Sequence, residues 1–301
     1  MHTPILFSAA VAALALSIPA QNLVTNGDFE TGSLAPWTES GQVLGSRVSQ
    51  HDCDGAGSSY TFNCEHGGNS TQTKLPNGYY PGNAIEQNVL LVQSVEYLFM
   101  ADVQVQNIQS PTSGNADAGK VEVFADGVSV GLFDFGSYTA NDDERNRMCF
   151  TFTATTTGQK PLKIEFSRKY YSSVRTPTAF VDNVVLVQSP LRPIICPRGE
   201  RAIGTTVNID IEGTANAQFA LYLALKKLAS GVQIPGFGGA WWLDGVNVQL
   251  FIQSFDGSGK FTFPAPVPND PNLAGLLLHW QSIEAPSAVT IGQVTSFAFY
   301  Q

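Results

Sequence analysis

Asn22-Leu23-Val24-Thr25-Asn26-Gly27-Asp28-Phe29-Glu30, with Pro36-Trp37 shortly after it, opens the part of the chain that decides the fold, and Ala179-Phe180-Val181-Asp182-Asn183-Val184-Val185-Leu186 closes it. Phe29 and Val184 have polar neighbours, so the apolar side chains of both segments turn to one side. Lying side by side, the segments would close one β-sandwich over residues 22–188. Between them the chain is rich in strand signals. Ala101-Asp102-Val103-Gln104-Val105-Gln106 has period two, and Asp126-Gly127 separates two apolar runs as a two-residue hairpin turn does. Met148-Cys149-Phe150-Thr151-Phe152-Thr153 alternates with its large residues inward and Cys149 on the other face, and Leu162 to Phe166 repeats the pattern. Short strands with turn signals between them predict an all-β jelly-roll sandwich.

Beyond residue 188 the stretch SPLRPIICPRGERAI, with three prolines and three arginines, reads as a linker over 189–203. A second, smaller β-sandwich is predicted for 204–301. Thr206 to Ile211 alternates, Gln218 to Leu225 reads as strand by context, and Asp256-Gly257-Ser258-Gly259 reads as a hairpin turn between Val246–Ser254 and Lys260–Phe263. At the other end, the apolar run Ile5 to Leu16 is too short to span a bilayer. It is followed by Ser17-Ile18-Pro19-Ala20, the pattern of a secretory signal over residues 1–20 and of a secreted or cell-surface protein. No other apolar run is long enough for membrane insertion through a helix.

The sequence has 14% charged residues and a net charge of −9, of which −8 lies in residues 22–188. So sparse a charge leaves the surface to Thr, Ser, Asn, Gln and Gly, and its sign disfavours nucleic acid as a partner. The four cysteines of an exported chain read as disulfides, and four cysteines allow three pairings. Cys53 and Cys64 share one Gly/Ser-rich loop and are paired on that ground, which leaves Cys149 with Cys196 by elimination. His51-x-Cys53 and Cys64-x-His66 also mirror each other as a Cys₂His₂ zinc set would, but disulfides suit an exported chain better.

The opening and closing segments, with Ala84-Ile85-Glu86-Gln87-Asn88-Val89 and Tyr97-Leu98-Phe99 between them, resemble the carbohydrate-binding modules of the family 4/9/22 type. The resemblance covers residues 22–188. It implies a jelly roll, a structural Ca²⁺ and a polysaccharide or glycan partner. Two carboxylates with backbone carbonyls make a hard oxygen site. The resemblance selects Glu30 and Asp182 as metal ligands, with Asp28 as a third. The second domain, with Ala240-Trp241-Trp242-Leu243 and Leu276-Leu277-Leu278-His279-Trp280-Gln281, loosely resembles an uncharacterised C-terminal β-domain of secreted planctomycete-like proteins.

Sugar rings are held by flat apolar faces with hydrogen-bonding groups at their edges. Tyr79-Tyr80 in the loop NGYYPGN and Tyr170-Tyr171 beside Arg168 are the candidate platform. Gln104 is an outward-facing polar partner, as are Gln87 and Gln106. Trp37, Tyr60 and Tyr138 are further candidates, of which Trp37, following the start motif, is assigned to the core. His279 beside Trp280 reads as a satisfied histidine. No nucleophile elbow, H-E-x-x-H or P-loop pattern occurs, so the expected activity is binding without catalysis. A structural or adhesive envelope protein without sugar affinity is the other reading.

Overall fold

The computed structural model describes residues 22–41, 47–65, 73–107, 116–139, 141, 143–170, 176–188 and 190–300. The expected signal segment, His66 and Tyr171 lie outside the described residues.

Ten strands make the first unit: β1 (Thr38–Ser40), β2 (Arg47–His51), β3 (Ser59–Glu65), β4 (Asn83–Leu91), β5 (Glu96–Gln106), β6 (Asp117–Ala125), β7 (Val128–Ser137), β8 (Asp143–Thr153), β9 (Gly158–Ser167) and β10 (Thr178–Gln188). They form two five-stranded sheets, β1-β4-β9-β6-β7 and β2-β3-β10-β5-β8. Every pairing is antiparallel. The chain crosses from sheet to sheet at most turns, and the strand order is that of a jelly roll. The alternation read from sequence sets the inner faces. Ile85, Val89, Leu162, Ile164 and Phe166 of one sheet meet Phe62, Phe99, Val103, Val181 and Leu186 of the other. The Asp126-Gly127 turn joins β6 to β7, with both residues at positive φ, as a type I′ turn needs.

The opening and closing segments do lie together. Leu23 N–H donates to Leu186 O (2.8 Å) and Val184 N–H to Gly27 O (2.8 Å). The Asn22 side chain accepts from Leu186 N–H (2.9 Å) and donates to Val184 O (3.2 Å). Strand β3 flanks β10 only over Thr178–Val181. Past the register shift between Asp182 and Val185, the opening segment takes over that side. Only glycine fits at position 27, because a Cβ there would lie 2.1 Å from Val184 O. Trp37 is buried against Phe29, its Nε1 donating to Asn26 O (3.1 Å).

The second unit has β11 (Ile194–Arg198), β12 (Thr206–Glu212), β13 (Gln218–Ala224), β14 (Lys227–Gln233), β15 (Ala240–Leu243), β16 (Asn247–Ser254), β17 (Lys260–Pro266), β18 (Leu277–Ala285), β19 (Thr290–Ile291) and β20 (Thr295–Ala298). Sheet β11-β12-β17 packs on sheet β16-β13-β18, to which β19 and β20 add, and β14 pairs with β15 separately. Ile209, Ile211, Phe219, Leu221, Trp280 and Phe297 fill this core. Two expectations are corrected. The Asp256–Gly259 turn joins no hairpin: β16 pairs with β13 and β17 with β12, so the turn carries the chain across the core, where Phe251 and Phe263 meet at 4.9 Å. The expected linker contains strand β11, paired to β12 from Ile194↔Glu212 to Arg198↔Asn208.

The cysteines divide differently from the expected two bridges. Cys149 and Cys196 are joined, 47 residues apart in sequence, and tie β8 to β11. Cys53 and Cys64 are separate buried thiols. Their loop proximity is only sequential. Strand β3 runs antiparallel to β2 from His51↔Ser59, so Cys64 lies five residues up the strand, roughly 17 Å from the turn that holds Cys53. That far exceeds the Cα separation a disulfide spans. Cys64 points into the sandwich core, whereas the Cys53 thiol meets Asp102 O (3.7 Å) on the outer face.

The outer face of sheet β2-β3-β10-β5-β8 is covered by the second unit. Leu98, Met100, Cys149 and Val187 pack on Ile194 and Cys196. Beside them Asp102, fully buried, accepts from Arg147 Nε (3.0 Å) and Nη2 (2.6 Å), from Arg201 Nη2 (2.9 Å) and from Asn183 Nδ2 (3.1 Å). Burial alone would raise the Asp102 carboxyl, but the two guanidinium groups outweigh it and hold it below the usual range.

Candidate functional site

Strands β4 and β9 are antiparallel neighbours, with Asn83 opposite Phe166, so the loop before β4 and the loop after β9 leave the sheet at the same end. That register brings Tyr79, Tyr80 and Tyr170 together. Tyr80 N–H donates to Arg168 O (2.9 Å). The approach needs Gly82, where a Cβ would meet Phe166 O at 1.6 Å. Lys74 sits 5.3 Å from the Tyr80 ring and 5.5 Å from the Tyr170 ring, between the two. Both rings are half-buried.

Tyr79 lies deeper, at 8% exposure, and its hydroxyl donates to Asp134 (2.8 Å). Lys120 and Lys169 flank its ring at 4.7 and 5.4 Å. Burial raises the Tyr79 hydroxyl, and the Asp134 bond adds to the rise. Lys169 pairs with Asp117 (3.4 Å), which raises its ammonium. An open depression of about 400 Å³ beside the cluster is lined by Asp117, Asp134, Lys169 and Tyr170. Arg168 is fully buried, 5.8 Å from the Tyr138 ring, and serves the loop's interior rather than its surface. The arrangement offers ring faces, a hydroxyl, ammonium groups and carboxylates within one patch, the means to hold a hydroxylated ring by stacking and hydrogen bonds.

Gln104 does not belong to this patch. It is fully buried on the other sheet, where its amide bridges His51 Nε2 (2.7 Å) and Asp143, while the His51 ring stacks on Phe180 at 3.8 Å. Gln87 is also buried and ties both the N–H and the C=O of Thr25. Gln104 does alternate outward, on the face of β5 opposite Phe99 and Val103, but it is covered there, whereas Gln87, expected outward, shares the inner face of β4 with Ile85, Val89 and Leu91. His279 is satisfied through Ser296 Oγ (2.7 Å). Trp241 meets Tyr222 edge-on at 5.1 Å, while Trp242 lies over Gly231.

The three residues expected to hold calcium lie around the start of β3, two of them bonded to the adjacent residues Tyr60 and Ser59. Exposed Glu30 accepts from Tyr60 N–H (2.8 Å), and exposed Asp28 caps Glu30 N–H. Asp182 is buried on the outer face, accepting from Ser59 Oγ (3.1 Å) and Asn183 N–H (2.7 Å). Among the described residues, no three His, Cys, Asp or Glu side chains gather as metal ligands. Sequence reasoning missed the inter-unit ion cluster at Asp102, Arg147 and Arg201. Its one visible signal was the aspartate among the outward-facing residues of β5.

No protein-family model matches the chain, and no curated protein sequence matches it. Solved structures do. TmCBM61, in complex with β-1,4-galactotriose, is 15% identical over 56% of this chain and 99% of its own, with a TM-score of 0.34. The CBM22-1 xylan-binding domain of Paenibacillus barcinonensis Xyn10C is 11% identical over 56% of this chain and 96% of its own, with a TM-score of 0.33. The K3 cleaved adhesin domain of Lys-gingipain from Porphyromonas gingivalis is 15% identical over 55% of this chain and 98% of its own, with a TM-score of 0.33. Likenesses of this size leave any function to be argued from the chain's own geometry. Among the described residues no helix is long and apolar enough to cross a membrane.

Proposed function

We propose that the protein is an exported, non-catalytic carbohydrate-binding protein that holds an extracellular or cell-wall polysaccharide at the end of its jelly roll. The observation that carries this is the convergence of Tyr79, Tyr80 and Tyr170, from two loops far apart in sequence, beside a depression edged by Asp117, Asp134 and Lys169. Tyr80 and Tyr170 supply the stacking faces, and Lys74 swings aside for the sugar, being an exposed and flexible side chain. Tyr79 supports the patch from beneath.

The test is an array of plant, algal and bacterial glycans with the full chain, followed by calorimetry on any hit. Tyr80→Ala and Tyr170→Ala should each weaken binding about tenfold or more, since aromatic anchors dominate such sites. Lys74 over both rings is what an envelope protein without sugar affinity would also show. An array silent in the presence of calcium selects that second reading.

A further inference from the structure

A second opening in the molecule lies away from the tyrosines, between the two units. Strands β7 and β8 are the outer strands of their sheets on the same side of the sandwich, and the gap between them is a cleft of about 580 Å³. The turn Arg198-Gly199-Glu200, at the end of β11, closes one flank. This volume lies within the range of small-molecule sites, and junctions between domains are where such sites concentrate.

The lining is specific in its chemistry. The floor is apolar: Phe133 and Phe150, with Leu132 57% exposed beside them. Gly131 leaves that floor flat, since a Cβ there would lie 2.3 Å from the Phe150 ring. The Phe150 ring is itself held by stacking on Phe99 at 5.1 Å. The polar edge carries the carboxylates of Glu144 and Glu200, with the Asn146 amide along β8 from Glu144. Of the two arginines in the lining, Arg147 gives Nε and Nη2 to Asp102 and Nη1 to Ser296 O (2.6 Å), while exposed Arg198 is drawn to Asp210 through its Nε. An anionic ligand would therefore meet two carboxylates, against one exposed guanidinium that Asp210 already partly neutralises. A ligand with a flat apolar face and hydroxyl donors at its edge meets matching groups on both counts.

We infer that this cleft is a second carbohydrate site, selective for uncharged sugar rings, which lie over Phe133 and Phe150 and donate hydroxyls to Glu144 and Glu200. The inference borrows its ligand class from the function proposed above but none of its residues. The experiment is calorimetry of the full, disulfide-bonded chain with xylohexaose, cellohexaose, mannohexaose and, as the anionic control, hexagalacturonate. At least one neutral hexasaccharide should bind with two sites per chain. The paired exposed substitutions Leu132→Ser and Glu200→Ala should remove one site or weaken it about tenfold or more, leaving the melting temperature unchanged. Tyr80→Ala should remove the other. Binding lost with the cleft pair and untouched by Tyr80→Ala upholds the cleft and removes the tyrosine site. Binding untouched by the cleft pair, binding of hexagalacturonate at the cleft, or no binding of any neutral hexasaccharide overturns the inference.

Discussion

Asp102 and Asp182 stand opposite each other on neighbouring strands, both buried, and have opposite electrostatic fates. Asp102 has two arginines and stays ionised. Asp182 has none, and burial, with the Asp102 and Asp54 carboxylates nearby, pushes it up to about 8 against the pull of Asn183 N–H and Ser59. In the unfolded chain an aspartate titrates near ~3.9. Below that pH both states hold the proton. Between about 4 and about 8 the unfolded chain has released a proton that the folded one keeps, so stability falls as pH rises. The loss is on the order of a few kcal/mol and is complete above the folded value. Asp182→Asn keeps the contacts to Ser59 and Asn183 and should flatten that slope, raising stability at pH 8 in urea denaturation. A melting temperature that rose with Ca²⁺ in the native chain, and not in Asp182→Asn, would support a calcium site at Asp182. Asp182 was visible in the sequence as a carboxylate in a closing strand. Its solvation was not, because the Ser59 hydroxyl and the Cys53–Asp54 turn come beside it only in the folded chain.

Among elements, the opening segment and β10 illustrate what patterning can reveal. The polar residues around Phe29 and Val184 turned their apolar side chains to one side, and the resemblance to carbohydrate-binding modules is what set the two stretches together. Gly27→Ala should cost about 2 kcal/mol or more, since its Cβ would displace the Val184 carbonyl and break the bond from Val184 N–H. A urea midpoint within error of the native chain would show that the segment does not pack as described. Periodicity also located β5, β8 and β9, because an inner face facing a core leaves a period-two record. Partnership between strands leaves none. The Cys53–Cys64 pairing failed because a short loop conceals how far the strand then runs. The Asp256–Gly259 hairpin failed because a turn that reverses the chain and a turn that crosses a core have the same composition. The tyrosines of two loops were legible as polar-loop aromatics, but their meeting depended on the β4–β9 register, which is set by the whole sheet.

For the molecule as a whole, the disulfide and the arginine–aspartate cluster fuse two cores that the Pro/Arg stretch 189–203 seemed to separate. Composition marked the prolines correctly, yet Ile194-Ile195-Cys196 is an ordinary apolar strand between them. A bridge enclosing 47 residues is worth about 4 kcal/mol in the chain-entropy model. The double substitution Cys149→Ala and Cys196→Ala should lower the melting temperature and divide one calorimetric transition into two. A single transition at the native temperature would mean that the bridge contributes nothing to folding. Arg147, reaching from β8 to the Ser296 carbonyl, makes the same coupling without a covalent bond. With its two halves clamped at a set bearing, the protein should behave as a stiff bracket and not as beads on a string. Any surface to which one half is moored fixes the direction in which the other half faces.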